Sequence, residues 1–267
     1  MRKTNFSNFL WIYSIIIIFI AGCQSLQTQN HTDQIALYSE NGADEGCITA
    51  TTKMFEWMGY EVYLVKADSI NNNSLSRFSI ICFPGGDMYL YSQNISSEGF
   101  EKVRNFISDG GGYIGICGGA YFTGEQVFWQ GNQLPMNTLR IFPGTTQGPI
   151  DEIAPFPNCK MCKTNIVNNS HPITQTEPDT TWICYCYGPM FLPNDRAEIE
   201  ILGRYDIADQ PSIAAFEYGE GRVFIIGSHP EFEEDSERDG LPASDKFNDQ
   251  GSDWDLMKKA AQWCLKK

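Results

Sequence analysis

Histidine is scarce in this chain. There are three in 267 residues, His31, His171 and His229, so any chemistry that needs an imidazole must use one of them. Basic residues are also short. Lysine and arginine number 19 against 33 acids, a formal net charge of −14. Such a chain repels nucleic acid and anionic headgroups, which excludes a DNA-facing role. No internal repeat, second independent domain or glycine-rich ATP-phosphate loop is evident. The one long apolar run, Phe9 to Ile20, is too short to read as a spanning helix. What remains is 42% apolar and 13% aromatic, enough for a sizeable core, and the length suits one α/β domain with a short leader.

The leader has an informative pattern. Arg2 and Lys3 precede the apolar run, Ala21 and Gly22 are small, and Cys23 follows. That order reads as a secretory signal over 1–22, with a plain signal anchor or a buried strand as the alternatives. Ile20-Ala21-Gly22-Cys23 resembles the bacterial lipobox, which implies a lipid on Cys23 and an extracytoplasmic, membrane-anchored protein. Gln24 resembles outer-membrane sorting. Removing 1–22 takes away two bases and no acid, so the mature chain is more acidic still. Residues 23–34 are expected to be a polar tether, with His31 solvated, and 35–267 the folded domain.

From Ile35 the chain alternates apolar runs and helical spacings. Strands are expected at 35–38, 61–65, 78–83 and 113–116. Helices are expected at 49–58 and around Phe100, Val103, Arg104 and Ile107, the latter capped by Ser96 or Ser97. This order predicts a doubly wound, mostly parallel sheet with helices on both faces. Residues 124–211, richer in Pro, Asn and Thr, read as a β-rich insertion. Residues 212–227 read as a hairpin and 253–265 as a last helix capped by Ser252.

Cys117 lies in Gly115-Ile116-Cys117-Gly118-Gly119-Ala120, where a buried strand meets a helix. A nucleophile on a sharp strand-to-helix turn needs small neighbours, and the helix N-terminus sets N–H groups at the sulfur. The alternative is a structural cysteine in a glycine-rich turn. His229 follows the apolar run Val223 to Ile226, a strand ending at the same sheet edge as Cys117, where ligands of open α/β sheets collect. Glu231, two residues on, is placed to orient the imidazole. His171 sits in a polar, loop-like stretch and offers less. Pro84-Gly85-Gly86 ends a third strand at that edge. The N–H groups near Gly85 and Gly86, with that of Gly118, are the expected oxyanion donors, each worth roughly 3 kcal/mol.

Phe83-Pro84-Gly85-Gly86, the Cys117 run and Ser228-His229-Pro230-Glu231 stand in the order of class I glutamine amidotransferase-like domains. Tyr38 to Ala43, Pro84 to Tyr89, Gly112 to Phe122 and Tyr187 to Phe191 more closely resemble the family named after the N-terminal domain of biotin-protein ligase. The resemblance implies a flavodoxin-like fold, a nucleophile at Cys117, a base at His229 and an orienting acid at Glu231. Biotin transfer is not implied, because the length leaves no room for a ligase domain. No synthetase domain is evident, so hydrolysis of a small-molecule or peptide amide is expected rather than ammonia transfer, with no cofactor. A non-catalytic binding module on the same fold is the alternative, and a cysteine hydrolase of the intracellular-protease-like branch a third.

Cys159, Cys162, Cys184 and Cys186 form a second cluster. Disulfide pairing, a zinc site and independent thiols are all open, although the one-residue spacing of Cys184 and Cys186 is tight for zinc. Cys82 and Cys264 read as buried thiols. Glu233, Glu234, Asp235 and Glu237 read as a solvated acidic loop.

Overall fold

Three apolar strands adjacent in the sheet end in glycine-containing turns at one level, and that coincidence positions the site. The computed structural model describes Met1 and residues 33–72, 75–233, 237–242, 247 and 251–267. The leader, Cys23, His31, Glu234 and Asp235 lie outside the described residues. Among those described, no helix is long and apolar enough to cross a membrane.

The first half of the chain runs β1 (Gln34–Tyr38), α1 (Glu45–Trp57), β2 (Glu61–Val65), α2 (Ala67–Asn72), β3 (Ile80–Phe83), α3 (Met88–Asn94), α4 (Ser97–Ser108), β4 (Gly112–Ile116) and the single turn α5 (Gly118–Tyr121). The second half runs β5 (Gly124–Trp129), β6 (Asn132–Gln133), β7 (Phe142–Gly148), β8 (Lys160–Ile166), β9 (Thr180–Tyr185), β10 (Met190–Pro193), β11 (Glu200–Tyr205), β12 (Pro211–Tyr218), β13 (Gly221–Ile226) and α6 (Trp254–Cys264).

The main sheet has nine strands among the described residues, in the order β2-β1-β3-β4-β13-β12-β11-β8-β9. From β2 to β13 neighbours are parallel; from β13 to β9 they are antiparallel. The doubly wound half is therefore continued by strands of the insertion. The rest of the insertion makes a second sheet, β10-β7-β5-β6.

Strand alternation supplies both faces of the parallel half. Ala36, Tyr38, Ile81, Tyr113, Val223 and Ile225 join one core with Ile70 of α2, Tyr91 of α3 and Phe100, Val103 and Ile107 of α4. Ile35, Leu37, Ile80, Ile114, Phe224 and Ile226 join the other with Met54 and Phe55 of α1 and Trp254, Met257 and Ala261 of α6. Each such large apolar side chain contributes roughly 1.5–3 kcal/mol on burial. Asp44 and Ser96 cap α1 and α4 by accepting from Cys47 N and Gly99 N. The last helix starts one residue later than its sequence suggests: Asp253 is the cap position, while Ser252 Oγ accepts from Trp254 N. Cys82 and Cys264 are buried.

One open alternative is decided and one expectation is corrected. Cys159 and Cys186 are joined as a disulfide, while Cys162 and Cys184 are buried thiols, so the four do not act as one zinc cluster. Glu233 is buried rather than solvated, because Arg238 Nε and Ser252 Oγ both donate to its carboxylate. The disulfide spans a sequence separation of 27 residues. A loop of that length is worth about 3.5 kcal/mol through the unfolded chain. Cys159→Ser should lower the urea-unfolding free energy by about that amount. A loss under about 1 kcal/mol would mean that the unfolded chain gains little from the link.

Candidate active site

The parallel register brings three turns together. Phe83 pairs with Gly115, and Ile116 with Ile226, so Pro84, Cys117 and Gly227 leave their strands side by side. The chain then turns sharply at Cys117, whose φ of 48° and ψ of −103° are unusual for a non-glycine residue. Bonds on both sides hold that strain. Cys117 N donates to Ile226 O at 2.9 Å and Gly119 N to Pro84 O at 3.0 Å. The crowding also dictates glycine. A Cβ on Gly118 would lie 2.2 Å from Gly86 O, and one on Gly119 would lie 1.9 Å from Phe83 O.

Cys117 is buried, and its Sγ lies 3.6 Å from Cys186 O. The helix behind it, α5, is a single turn, so its macrodipole is weaker than the sequence implies. The main charge partner is instead His229. That residue is buried, with Nδ1 2.8 Å from Glu231 Oε1. With Nδ1–H donating to the carboxylate, Nε2 is the nitrogen left for the thiol. Nε2 is itself buried without a well-formed hydrogen bond, and the Cys117 sulfur is among the charges acting on the ring. The ring is fixed further by Phe232, stacked at 4.9 Å, and by His229 N donating to Cys184 O at 2.7 Å. Trp254 Nε1 donates to Glu231 O at 3.0 Å and anchors the acid's backbone.

Burial alone would push the imidazole down, but the charges of Cys117 and Glu231 outweigh it and hold His229 well above the ordinary histidine range. A raised native pKa stabilises the fold fully below the unfolded value of about 6.5, and that contribution is lost as pH rises through the native value. Relative to His229→Gln, the wild-type urea midpoint should therefore fall as pH rises above about 7. Parallel pH curves for the two proteins would contradict the raised value.

The three glycines expected as oxyanion donors occupy distinct places. Gly118 starts α5, so its N–H has no intrahelical acceptor. Gly86, at φ 149°, lies against it. Gly85 instead makes room for the imidazole: a Cβ there would lie 2.6 Å from His229 Cε1 and 2.7 Å from Cys47 Sγ. His171 is remote from this cluster in role. It is buried against the Trp263 ring at 5.1 Å, and burial pushes its imidazole down while Glu200 opposes.

Cys47 has no assigned role in the sequence reading. Its Sγ lies 3.7 Å from His229 Nδ1. Burial pushes this thiol far up despite the opposing imidazole, so it stays protonated and is no rival nucleophile. Cys47, His229 and Glu231 are the one group among the described residues with donor atoms spaced for a metal ion, within 4.8 Å of one another. The Nδ1–Oε1 hydrogen bond accounts for that closeness without an ion. An Asp44 cap before the first turn of α1, at the same edge as Cys117, was the signal that could have placed Cys47 here.

Cys117, His229 and Cys47 share a cavity of about 920 Å³, bordered by Cys159, Cys186 and Tyr187. The disulfide thus fastens one wall beside Cys117. Another cavity, about 740 Å³, opens among Asp33, Ser79 and Gly111 at the opposite ends of the strands.

The fold is that of a glutamine amidotransferase-like domain. Residues 33–262 match the family Biotin-protein ligase, N terminal, and the chain belongs to that family. It is 27% identical over 228 residues to the biotin–protein ligase of Schizosaccharomyces pombe, covering 79% of this chain but 35% of the ligase. The chain thus spans about a third of that relative's length. It is 24% identical over 212 residues to a protein of Chlamydia muridarum, covering 74% of this chain and 80% of the other. Among solved structures, a glutamine amidotransferase from Thermotoga maritima aligns with a TM-score of 0.58 at 11% identity, over 89% of this chain and 100% of that one.

Proposed function

We propose that the protein is a cysteine-dependent amide hydrolase, exported and held at a bacterial membrane surface by a lipid on Cys23. The observation that carries the hydrolase reading is the strained Cys117 in one cavity with a buried His229–Glu231 pair. In this reading the Cys117 proton has passed to His229 Nε2 before attack, and Sγ attacks the amide carbonyl as the thiolate. The N–H groups of Gly86 and Gly118 hold the oxyanion. Collapse to a thioester expels the amine, which takes the proton from His229. Water, deprotonated by the same nitrogen, then releases the acid and restores the thiol. Glu231 keeps Nδ1 protonated and Nε2 facing the sulfur throughout. Ammonia release from glutamine-containing peptides and simple amides tests turnover. Activity that survives Cys117→Ser would sink the mechanism.

The address rests on separate support. The Cys159–Cys186 disulfide fits an oxidising compartment, and Cys23 closes a lipobox-like run. Cys23→Ala should move the protein from the membrane fraction to the soluble one. Retention of that variant on membranes would count against the anchor.

A further inference from the structure

Resting on the reading of Cys117 as nucleophile, we infer that the acyl donor carries a positively charged nitrogen, an alkylammonium or guanidinium group, recognised by an aromatic corner and a carboxylate wall of the same cavity. The corner is Trp129, Phe156 and Tyr187. Their rings stand nearly perpendicular to one another, at 80°, 81° and 72°, with centroids 5.6, 6.3 and 5.2 Å apart. Mutually perpendicular rings can present more than one π face to a single cation. The corner is also open, since Phe156 keeps 47% of its surface exposed.

The charge around the cavity has one sign. Asp44, Glu45 and Asp87 line it, and no lysine or arginine does among the described residues. Asp44 and Asp87 each use one oxygen to cap a helix, accepting from Cys47 N at 3.0 Å and Tyr89 N at 2.9 Å. Capping fixes these carboxylates in place without neutralising them. Away from His229, a substrate carboxylate would meet three like charges and no lysine or arginine, whereas a cationic nitrogen meets both carboxylates and π faces. The substrate class is therefore an amine-bearing amide rather than an acidic one.

Alkylation of Cys117 tests this on the purified mature protein. The probes are 2-bromoethylamine, iodoacetamide and iodoacetate: cationic, neutral and anionic. In each case the sulfur forms a bond to carbon and halide leaves. Rates are read by peptide mass mapping and divided by the rate with N-acetylcysteine at the same pH. The normalised cationic rate should exceed the anionic one at least about tenfold. Asp87→Asn, which preserves the cap, and Trp129→Ala should each lower the cationic-to-neutral ratio. Equal or faster reaction with iodoacetate would overturn the inference, as would an unchanged ratio in both variants. No adduct at Cys117 with any probe would overturn the nucleophile reading itself, and this inference with it.

Discussion

Cys117→Ser should lower turnover by at least about 10⁴-fold, because the residues of a nucleophile–base–orienter set act as a unit. The change is one atom in a buried position, so the fold should survive, with an unfolding free energy within about 1 kcal/mol of wild type. The comparison separates chemistry from structure. A serine hydroxyl at the elbow would meet the same imidazole, yet it is a far weaker nucleophile at neutral pH than a thiolate. Cys47→Ser is the matching control: its thiol is protonated by burial and lies beside Nδ1, away from the nitrogen that serves the nucleophile. If Cys47→Ser abolished turnover and Cys117→Ser spared it, the roles given to the two thiols would be reversed.

Gly119→Ala should be strongly destabilising. The new methyl would lie 1.9 Å from Phe83 O, a backbone atom at the end of β3. It cannot retreat easily, because Gly119 N is bonded to Pro84 O and Tyr113 Oη donates to Gly119 O at 2.8 Å. Relief requires moving β3 away from α5, which disturbs the packing of Phe83 against Tyr38 and Phe122. The expected loss is about 3 kcal/mol or more, measured by urea unfolding. A loss under about 1 kcal/mol would show that the turn is looser than its geometry implies. The prediction also explains why the elbow tolerates glycine alone on that side: the strands approach at the level of their own backbones.

These residues show what a sequence can carry and where it falls short. β1, β4 and the hairpin of β12 and β13 read directly, because strands buried on both faces leave apolar runs with turn residues at their ends; β2, an edge strand with Glu61 and Leu64 exposed, read from its β-branched and aromatic run. The same logic put the turns after β3, β4 and β13 at one sheet edge, so Cys117 and His229 met despite their separation in the chain. His229 and Glu231 were legible for a simpler reason, being two residues apart. The first turn of α1 was not. Glu45-Gly46-Cys47 has no apolar spacing, and the helix reads as starting at Thr49; Cys47 was lost with it. Helices α2 and α3 are each under two turns and rich in Ser, Asn and Tyr, too short for a period to show. The partner of Cys186 depended on the insertion folding back as β8 and β9, a long-range pairing that spacing does not encode. The aromatic corner was hidden likewise, since Trp129, Phe156 and Tyr187 come from three separate loops or strand ends.

The central claim is that Cys117 and His229 form one reacting pair. The most direct measurement is the rate at which a diazoketone analogue of glutamine labels the mature protein, with the adduct mapped by mass spectrometry. One adduct is expected, on Cys117, with a rate reduced at least about 100-fold in His229→Ala. Labelling elsewhere than Cys117, or at an equal rate in His229→Ala, would contradict it.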